Sequence, residues 1–581
     1  MSTSLPVLRA GGLAVVAAAL AGALSCSIAS RPSDQPEKVR RLVARPATSD
    51  LGMVASTSVE VNQIGVQILA RGGNAGDAAV AMAVALGAAD PGDSGLGGAT
   101  FILVRMASGR AVAIDGSAPV PIRVSQPALR RLHDADRKFG PELATTPGSL
   151  AALELASSRY GTLPLRELIE PAIPIAEAGY RLTPFHRASI FKYLDDVRQS
   201  PTLARVVLDQ AGDPLPTGTL IRWPGLARTL RRIADGGAAE FYQGAIAAEI
   251  EADMIASHGF VRRSDLMLVR ARELEPYRGS YRGLEVLTFP PPGAGGAVIE
   301  GLNLLETFPQ ELLRSDGIER LQAVGEALHI AIDDHRALMP DSTRMQPFAQ
   351  PEYLDKSYAA SRAKVIELGR PVPESAFLAR QYRPELESQT VQVSVIDRDG
   401  NAVSLTQSLG RFFGNKVVAH EMGFLYNTLL GGADPSNPAH LRPRNILPQD
   451  GAPTIVVADG RPLLVLGSAG SSRIAGIIAT VISNVVDRRM TLVEAVQAPR
   501  VLWSEGDTSK GLGIEIYPPI RERHARALKA MGYHGGVQAR FPSPYLELFR
   551  FGGVNAVYRD PATGRLTGVG DPRRNADARG L

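Results

Sequence analysis

The sequence is organised around the stretch ESQTVQVSVIDRDGNAVSLTQS, which runs from Glu387 to Ser408. Valines occupy every second position early in this stretch and alternate with polar residues, the period of two that is typical of a strand with one buried face. Asp399-Gly400 supplies a tight turn and a second apolar strand follows it, so the stretch predicts a β-hairpin. Thr390 stands at the mouth of the first strand, after a polar run, and its hydroxyl raises the question of a chemical role.

The composition is that of a globular protein whose 581 residues exceed what one small hydrophobic core normally holds. The formal net charge is only +4, and no basic stripe with interleaved aromatic residues occurs, which argues against nucleic acid as a partner. The nine histidines are scattered, and His420 and His440 are expected at the surface. The single cysteine, Cys26, excludes an intramolecular disulfide and a cysteine-based metal cluster, and neither a metal nor a cofactor is predicted.

The N-terminus has the pattern of an export signal. Arg9 is followed by the apolar run Gly11–Leu24, which is too short to cross a bilayer core of roughly 30 Å as a helix. The run ends in Ala-Leu-Ser-Cys, an imperfect match to a bacterial lipobox. We therefore expect a signal peptide over residues 1–26, lipidation at Cys26, a linker over 27–50, and a location in the periplasm or cell envelope. Ordinary export with an incidental cysteine is the alternative.

The remaining chain alternates between helical and strand patterns. Helices are predicted over about 58–70 and 75–88, strands over 100–106 and 110–114, a mostly helical region from 123 to 381, a second hairpin over 454–466 and a helix over 474–486. A strand also precedes the Pro-rich loop FPPPGAGG. Helices at both ends with strands between them indicate layered α/β packing.

Thr390 and the Gly-rich loop GSAGSSR, residues 467–473, together suggest an acyl-transfer site. The loop opens a helix, where unsatisfied backbone N–H groups can bind an oxyanion. A hydroxyl nucleophile and an oxyanion hole are two parts of such a site, but no histidine lies near either in sequence to act as a base. The GDSG run at Gly92–Gly95 is interpreted as a turn between helix and strand, because no other serine-protease pattern accompanies it.

Beyond about Asp50 the chain resembles the γ-glutamyltransferase family of the N-terminal-nucleophile hydrolase superfamily. The resemblance is carried by ordered blocks: GVQILARGGNAGDAAVA, FPPPGAGG, SVIDRDGNAVSLT, VLGSAGSSR, EAVQAPRV and DPRRNADARG. It implies an αββα four-layer sandwich with an extra helical region. It also implies a precursor that cuts itself between Gln389 and Thr390, into a large subunit of residues 51–389 and a small subunit of residues 390–581.

The resemblance implies which group acts as the base for the Thr390 hydroxyl. Cleavage would make Thr390 a chain terminus, and its α-amine, with an ordinary pKa of about 7.7–8.0, would take the proton of its own hydroxyl. Ser408 matches the second hydroxyl residue that supports the nucleophile in this family. Gly470 and Ser471 match its oxyanion pair, and Asn401 matches the asparagine of its hairpin turn.

The resemblance fails at the residues with which the family holds the glutamyl head group. The corresponding positions here carry Asp115, Gly116, Gly410, Gly432, Gln449 and Asp450. We therefore expect a changed donor pocket, with Asp115, Gln449, Asp450 and Asn401 around it, and weak activity on ordinary γ-glutamyl donors. Candidates for a substitute clamp are nearby arginines: Arg411, Arg442 and Arg444.

The sequence thus predicts an exported, lipid-anchored threonine amidohydrolase or acyltransferase. It would form an acyl-enzyme on Thr390 from a small-molecule or peptide amide, and pass the acyl group to water or to an amine. Two alternatives stay open. The first is a true γ-glutamyltransferase or glutathione hydrolase with a rebuilt donor pocket, and the second is a lipoprotein that binds a ligand without turnover.

Overall fold

The structure is a computed structural model that describes Met1 and residues 43–135, 137–340, 350–378, 389–504, 511–514, 521–533 and 551–581. The expected signal peptide, Cys26 and most of the expected linker lie outside the described residues, as does the segment directly before Gln389. Among the described helices, none combines the length and the apolar character that a membrane span requires.

The strands are numbered in chain order. They are β1 (Ala47–Ser49), β2 (Met53–Ser56), β3 (Ala99–Arg105), β4 (Ala111–Gly116), β5 (Tyr180–Arg181), β6 (Leu220–Ile221), β7 (Arg272–Leu274), β8 (Tyr277–Tyr281), β9 (Leu284–Thr288), β10 (Gln389–Ile396), β11 (Ala402–Gly410), β12 (Thr454–Ala458), β13 (Arg461–Ala469), β14 (Val501–Ser504), β15 (Gly511–Ile514), β16 (Gly553–Arg559), β17 (Leu566–Gly570) and β18 (Asp577–Gly580).

The α-helices are numbered in the same way. They are α1 (Val59–Ala70), α2 (Ala75–Ala89), α3 (Gln126–Asp134), α4 (Ser149–Tyr160), α5 (Leu165–Ile169), α6 (Ala172–Ala178), α7 (Pro184–Lys192), α8 (Leu194–Arg198), α9 (Pro201–Val207), α10 (Pro224–Tyr242), α11 (Ala245–Ala256), α12 (Arg263–Leu266), α13 (Gly295–Glu306), α14 (Gln310–Arg314), α15 (Ile318–Leu338), α16 (Lys356–Arg362), α17 (Ile474–Val486), α18 (Leu492–Gln497) and α19 (Arg521–Ala530).

Two seven-stranded antiparallel sheets form the centre of the fold. The first sheet has the order β18-β2-β10-β11-β3-β4-β7, and the second has the order β1-β17-β16-β13-β12-β9-β8. The predicted hairpin, β10–β11, occupies the middle of the first sheet and faces β13 and β16 of the second. Helices α1, α2 and α4 cover the outer face of the first sheet, and α13 and α17 cover that of the second. The αββα sandwich is confirmed, and α5–α12 form the extra helical region.

Both faces of the hairpin are buried, so the prediction of one buried face is wrong. The valines of β10 lie in the core beneath the helices, while Gln392 and Ser394 face the second sheet. Gln392 donates to the hydroxyl of Ser404 at 2.9 Å and accepts from the hydroxyl of Thr406 at 2.8 Å. Ser394 donates to the carbonyl of Asn555 at 2.9 Å. These polar side chains tolerate burial because they hydrogen-bond to one another and to the opposite sheet.

Helix α2 owes its composition of small residues to its position between the first sheet and the helical region. All 15 of its residues are buried. A Cβ atom on Gly87 would lie 3.1 Å from the Cα of Gly95, so the chain before β3 approaches this helix closely. Asn74 caps the helix in a capping box with Asp77, which fixes where the helix begins.

Two further expectations differ from the structure. The segment Ala47–Ser49, which we expected in the linker, is an edge strand paired with β17, and the hydroxyl of Ser49 donates to the carbonyl of Leu581 at 2.6 Å. His440, which we expected at the surface, is buried, and its Nδ1 atom accepts the backbone N–H of Asp434 at 2.9 Å. His420 is exposed, as expected.

A buried carboxyl pair joins α13 to α15 in the outer layer of the second sheet. Asp334 accepts Arg362 Nε at 2.6 Å and the Tyr358 hydroxyl at 3.0 Å. Glu300 is fully buried, and its carboxyl group forms a side-chain hydrogen bond with Asp334. Burial and the nearby Asp334 carboxylate raise the pKa of Glu300 to about 11.

This pair predicts a pH dependence of stability. Between the ordinary pKa of Glu300, 4.5, and its folded value of about 11, the folded protein holds a proton that the unfolded chain has released. The free energy of unfolding therefore falls as pH rises through this window, by up to about 1.4 kcal/mol per pH unit. We expect Glu300→Gln to lose this part of the dependence, measured as the thermal unfolding midpoint between mildly acidic and mildly alkaline pH. The exposed Glu319→Gln is the matched control, and identical pH profiles for wild type and Glu300→Gln would contradict the prediction.

Candidate active site

Thr390 and Ser408 lie directly opposite each other at the open end of the β10–β11 hairpin. A shift of register between Gln389 and Thr390 interrupts the regular pairing at this point. Such irregularities commonly re-aim a side chain next to a functional site. Both hydroxyl residues are buried, and the distance between Thr390 Oγ1 and Ser408 Oγ is 3.3 Å.

The hydroxyl of Ser408 is the centre of a small hydrogen-bond network. It donates to the backbone carbonyl of Gln389 at 2.7 Å and accepts the backbone N–H of Gly410 at 2.9 Å. It also accepts the hydroxyl of Thr390. One donated and two accepted bonds use the full capacity of a hydroxyl, so the direction of each proton is fixed. The Thr390 hydroxyl, the Ser408 hydroxyl and the Gln389 carbonyl oxygen thus form one chain of proton donors and acceptors.

Strand β13 runs toward this network and ends in the Gly-rich loop. The carbonyl of Leu466 accepts the Ser404 hydroxyl at 2.8 Å, and the next residue, Gly467, lies against the Gln392 side chain. A Cβ on Gly467 would stand only 2.1 Å from Gln392 Oε1, so the glycine permits the two sheets to approach here. Because successive residues of β13 pass from Ser404 to Gln392, the strand advances toward Thr390 as it enters the loop.

The backbone of the loop has an unusual conformation at the predicted oxyanion pair. Gly470 has φ 143° and Ser471 has φ 56°, in the left-handed region that side chains other than glycine seldom adopt. Residues held in such conformations cluster at functional sites, where surrounding contacts maintain them. The hydroxyl of the buried Ser471 donates to Asp450 Oδ2 at 3.3 Å, which brings one predicted donor-pocket residue to the loop. Gln449 is joined to the Pro-rich loop, since its N–H donates to Pro292 at 2.8 Å.

Two other predicted site residues have structural partners. Asp115 is buried in β4 and forms an ion pair with Arg272 of β7, whose Nε and Nη2 both donate to Asp115 Oδ2, with Nε at 3.1 Å. Asn401 lies at the turn of the hairpin, the end opposite Thr390, where its side chain donates to Asp397 at 2.7 Å and accepts from Ala107 at 2.8 Å. The structure does not bring Asn401 to the Thr390–Ser408 network.

The candidate arginines differ in position. Arg411 is half-buried and follows Gly410, which pairs with Gln389 in the hairpin register. Arg442 and Arg444 are exposed in the segment before β12. Arg411 is therefore the one of the three that the strand register places at the Thr390 end of the hairpin.

Sequence reasoning missed a buried arginine at the site. Arg574, in the terminal DPRRNADARG block, donates through Nη1 to the side-chain oxygen of Gln389 and lies 3.8 Å from Asp93 Oδ2. Its guanidinium also lies over the ring of Phe185, at 5.2 Å from the centroid. Asp93 belongs to the GDSG run, which we interpreted only as a turn. The order of the family blocks gave no signal for this contact, because its partners are 185 positions apart in the chain.

The charges in this buried region shift one another's pKa values. Burial and the neighbouring Asp90 carboxylate raise the pKa of Asp93 well above its usual value, although Arg574 acts in the opposite direction. Burial lowers the pKa of Arg574, and the neighbouring Arg473 adds to this effect. Asp90 itself is held by His186 Nε2 at 3.0 Å. Among the described residues, no group of three or more side chains has the composition of a metal site.

Comparisons with known proteins agree on one family. The family model described as Gamma-glutamyltranspeptidase matches residues 61–581. The Glutathione hydrolase proenzyme of Escherichia coli (strain K12) is 33% identical over 509 residues, which cover 84% of this chain and 87% of the relative. The Acylase ACY 1 proenzyme of Pseudomonas sp. (strain V22) is 33% identical over 539 residues, with coverage of 90% and 92%. The crystal structure of cephalosporin acylase from Bacillus halodurans superposes with a TM-score of 0.80 at 27% identity, covering 95% of this chain and 99% of that one.

The role of the Ser408 hydroxyl in cleavage can be tested by substitution. Replacing Ser408 with Ala removes the donor to the Gln389 carbonyl, and we expect cleavage at Gln389–Thr390 to slow on the order of a hundredfold, as for loss of an oxyanion donor. Ser408→Thr keeps the hydroxyl and should still be cleaved. The measurement is the time course of the two-band pattern on a denaturing gel. Ser404→Ala, which removes a buried hydroxyl from the same face of β11, is the matched control, and cleavage of Ser408→Ala at the wild-type rate would refute the role.

Proposed function

The chain belongs to the gamma-glutamyltranspeptidase family, and from this membership we propose that it is a self-processing threonine amidohydrolase and acyltransferase with a changed donor pocket. The observation that carries the proposal is the Ser408 hydroxyl, which bridges the Thr390 hydroxyl and the Gln389 carbonyl oxygen. A threonine hydroxyl, a carbonyl and a proton-transferring group in one buried network are what cleavage of the Gln389–Thr390 bond requires.

Self-cleavage follows from the direction of the hydrogen bonds. Thr390 Oγ1 attacks the carbonyl carbon of Gln389 as its proton passes to Ser408, while Ser408 gives its own proton to the carbonyl oxygen. The C–N bond of the tetrahedral intermediate then breaks as the C=O bond re-forms, and the proton of the former carbonyl oxygen returns through Ser408 to the Thr390 nitrogen, which becomes a free amine. The remaining ester between Gln389 and Thr390 Oγ1 is hydrolysed by water, which leaves a carboxylate on Gln389 and a free hydroxyl on Thr390.

The mature site repeats this chemistry on an external amide. The Thr390 amine accepts the proton of the Thr390 hydroxyl, and the oxygen attacks the donor carbonyl. Backbone N–H groups of Gly470 and Ser471 would hold the oxyanion, a role that the constrained loop conformation supports. The protonated amine then supplies the proton for the leaving nitrogen. The acyl-enzyme on Thr390 is finally released by water or by an amine acceptor.

A changed donor pocket is supported by the partners of the residues that replace the family's clamp. Asp115 stands where the family has its carboxylate-binding arginine, and it is already neutralised by Arg272. Asp450 adds a second carboxylate next to Ser471. Neither carboxylate attracts the carboxylate of a glutamyl head group, so weak activity on ordinary γ-glutamyl donors follows.

A true glutathione hydrolase with a rebuilt pocket is the second candidate. It is favoured by the 33% identity to the Glutathione hydrolase proenzyme of Escherichia coli and by the position of Arg411 at the Thr390 end of the hairpin. Glutathione and γ-glutamyl anilide distinguish the candidates. Turnover of both at rates typical of the family would favour the second candidate over a changed pocket. The ligand-binding protein without turnover has no specific observation in its favour.

The nucleophile is tested by replacing Thr390. Wild type should give a large and a small band on a denaturing gel, and the small chain should begin Thr-Val-Gln-Val, whereas Thr390→Ala should remain one chain. An electrophilic acyl analogue should label Thr390 of the cleaved protein, with a matching mass shift on the N-terminal peptide of the small chain. Wild type that stays intact and still hydrolyses amides would rule out this mechanism.

Export with a lipid anchor at Cys26 is a separate part of the proposal. The lipobox-like end of the apolar N-terminal run supports it, together with the absence of any other cysteine in the sequence. Labelled fatty acid should enter the wild type and not Cys26→Ser, and the variant should leave the membrane fraction. Equal fractionation of the two proteins without label in either would contradict the anchor.

A further inference from the structure

A group of exposed arginines lies where two distant segments of the chain meet. The N–H of Val120 donates to the carbonyl of Asn445 at 2.8 Å, and the carbonyl of Val120 accepts the N–H of Arg444 at 2.9 Å. This pairing holds the segment before β12 beside the segment that leads into α3. The arginines that the two segments and α3 expose to solvent are Arg123, Arg130, Arg131, Arg442 and Arg444.

These five arginines have no ion-pair partner among the residues that the structure describes. The carboxylates of the same segments are engaged elsewhere. Glu142 pairs with Arg137 at 3.8 Å, and Asp134 lies 3.8 Å from Nδ1 of His133. Asp434 accepts hydrogen bonds from within its own turn. This part of the molecule therefore carries an excess of positive charge at its surface.

Exposed arginines in the helical region have different surroundings. Arg166 pairs with Glu170 at 2.8 Å, and Arg228 pairs with Glu421 at 3.0 Å. Both are ordinary surface ion pairs that neutralise the charge locally. A cluster of arginines without such partners attracts an anionic partner.

Three large apolar side chains lie beside these arginines. The N–H of Ile122 donates to Asp265 Oδ1 at 2.9 Å, which joins the segment before α3 to α12, and Met267 and Leu268 directly follow that helix. Ile122, Met267 and Leu268 are 43%, 46% and 42% exposed. The exposed Arg270 donates through Nη1 to the carbonyl of Met267 at 3.0 Å. The five arginines, Arg270 and the three apolar residues are called the basic surface below.

We propose that the basic surface docks onto an anionic phospholipid bilayer. The guanidinium groups bind lipid phosphates, and the apolar side chains enter the boundary between the headgroups and the acyl chains. Cations beside apolar side chains fit this partner better than an acidic protein, because a bilayer offers phosphates and an apolar layer together. The inference goes beyond the proposed function and does not depend on the chemistry at Thr390.

The basic surface and the proposed lipid at Cys26 would have different effects. The lipid would keep the protein near the bilayer, where weak contacts form because the effective concentration is high. The basic surface would set which face of the protein lies on the membrane. Without the lipid, the basic surface alone binds weakly and reversibly, so Cys26→Ser would still leave membranes that are washed with salt.

The first test measures binding of the Cys26→Ser protein to vesicles. One set of vesicles contains equal parts of phosphatidylglycerol and phosphatidylcholine, and the other contains phosphatidylcholine alone. The protein should sediment with the anionic vesicles at low salt and should be released as the salt concentration rises. It should not sediment with phosphatidylcholine alone.

Two charge variants in the Cys26→Ser background locate the binding surface. The first removes three arginines of the basic surface: Arg123→Gln, Arg130→Gln and Arg131→Gln. It should bind anionic vesicles about a hundredfold more weakly, at roughly fivefold per arginine. The matched control removes the same charge from exposed arginines on three other elements and should bind like its parent: Arg71→Gln, Arg205→Gln and Arg461→Gln.

The second test measures insertion of the apolar side chains. Cys26 is the only cysteine of the chain, so Met267→Cys in the Cys26→Ser background can carry a single environment-sensitive fluorophore. Its emission should shift to shorter wavelength when anionic vesicles are added. The control is Leu51→Cys, at a position that is 52% exposed in the turn between β1 and β2, and its emission should not shift.

Several results would overturn the proposal. They are equal binding to both kinds of vesicle, equal weakening by the two charge variants, and an unchanged emission at Met267→Cys. Binding to soluble polyglutamate as tightly as to vesicles, without the emission shift, would indicate an acidic protein partner instead. If the first charge variant does not fold, the labelled Met267→Cys protein decides. None of these results bears on cleavage at Gln389–Thr390, which is measured separately.

Discussion

One hydroxyl group, that of Ser408, constrains the centre of this molecule. It can donate only one hydrogen bond, and that bond goes to the carbonyl of Gln389. Its two acceptor positions are taken by Thr390 and by the N–H of Gly410. This arrangement requires β10 and β11 to be neighbours in a fixed register. Burial of both faces of the hairpin specifies that register, because a slip of one residue would move every side chain to the opposite face. The two sheets and the helical layers supply that burial.

Much of this arrangement was predictable from local sequence. The alternation of valines, the Asp399-Gly400 turn and the helix over 474–486 were identified with nearly the observed bounds. The local sequence pattern did not predict contacts between residues that are distant in the chain. It did not show that Gln392 is buried, because the hydroxyls that satisfy it come from the neighbouring strand, or that His440 is held by a backbone N–H.

The candidate site divides in the same way. Thr390, Ser408, Gly470 and Ser471 came from motifs and their order, and the structure places Thr390 and Ser408 together. Arg574 was missed, since it lies in the turn that joins β17 to β18, 185 positions from Gln389 in the chain. The ion pair of Asp115 was invisible for the same reason, because its partner is on β7. Residue type and spacing identify candidate reactive groups, while the buried ion pairs of Asp115 and Arg574 are assembled by long-range topology.

The order of strands within the two sheets has a consequence for the two chains that a cut at Gln389–Thr390 would create. The first sheet would take β2, β3, β4 and β7 from the larger chain and β10, β11 and β18 from the smaller, and the second sheet would be mixed in the same way. Neither product would contain a complete sheet. The pair would behave as one cooperative unit that cannot exchange partners without losing its tertiary structure. Separating the two would amount to denaturation, because each sheet would lose the strands that the other chain supplies.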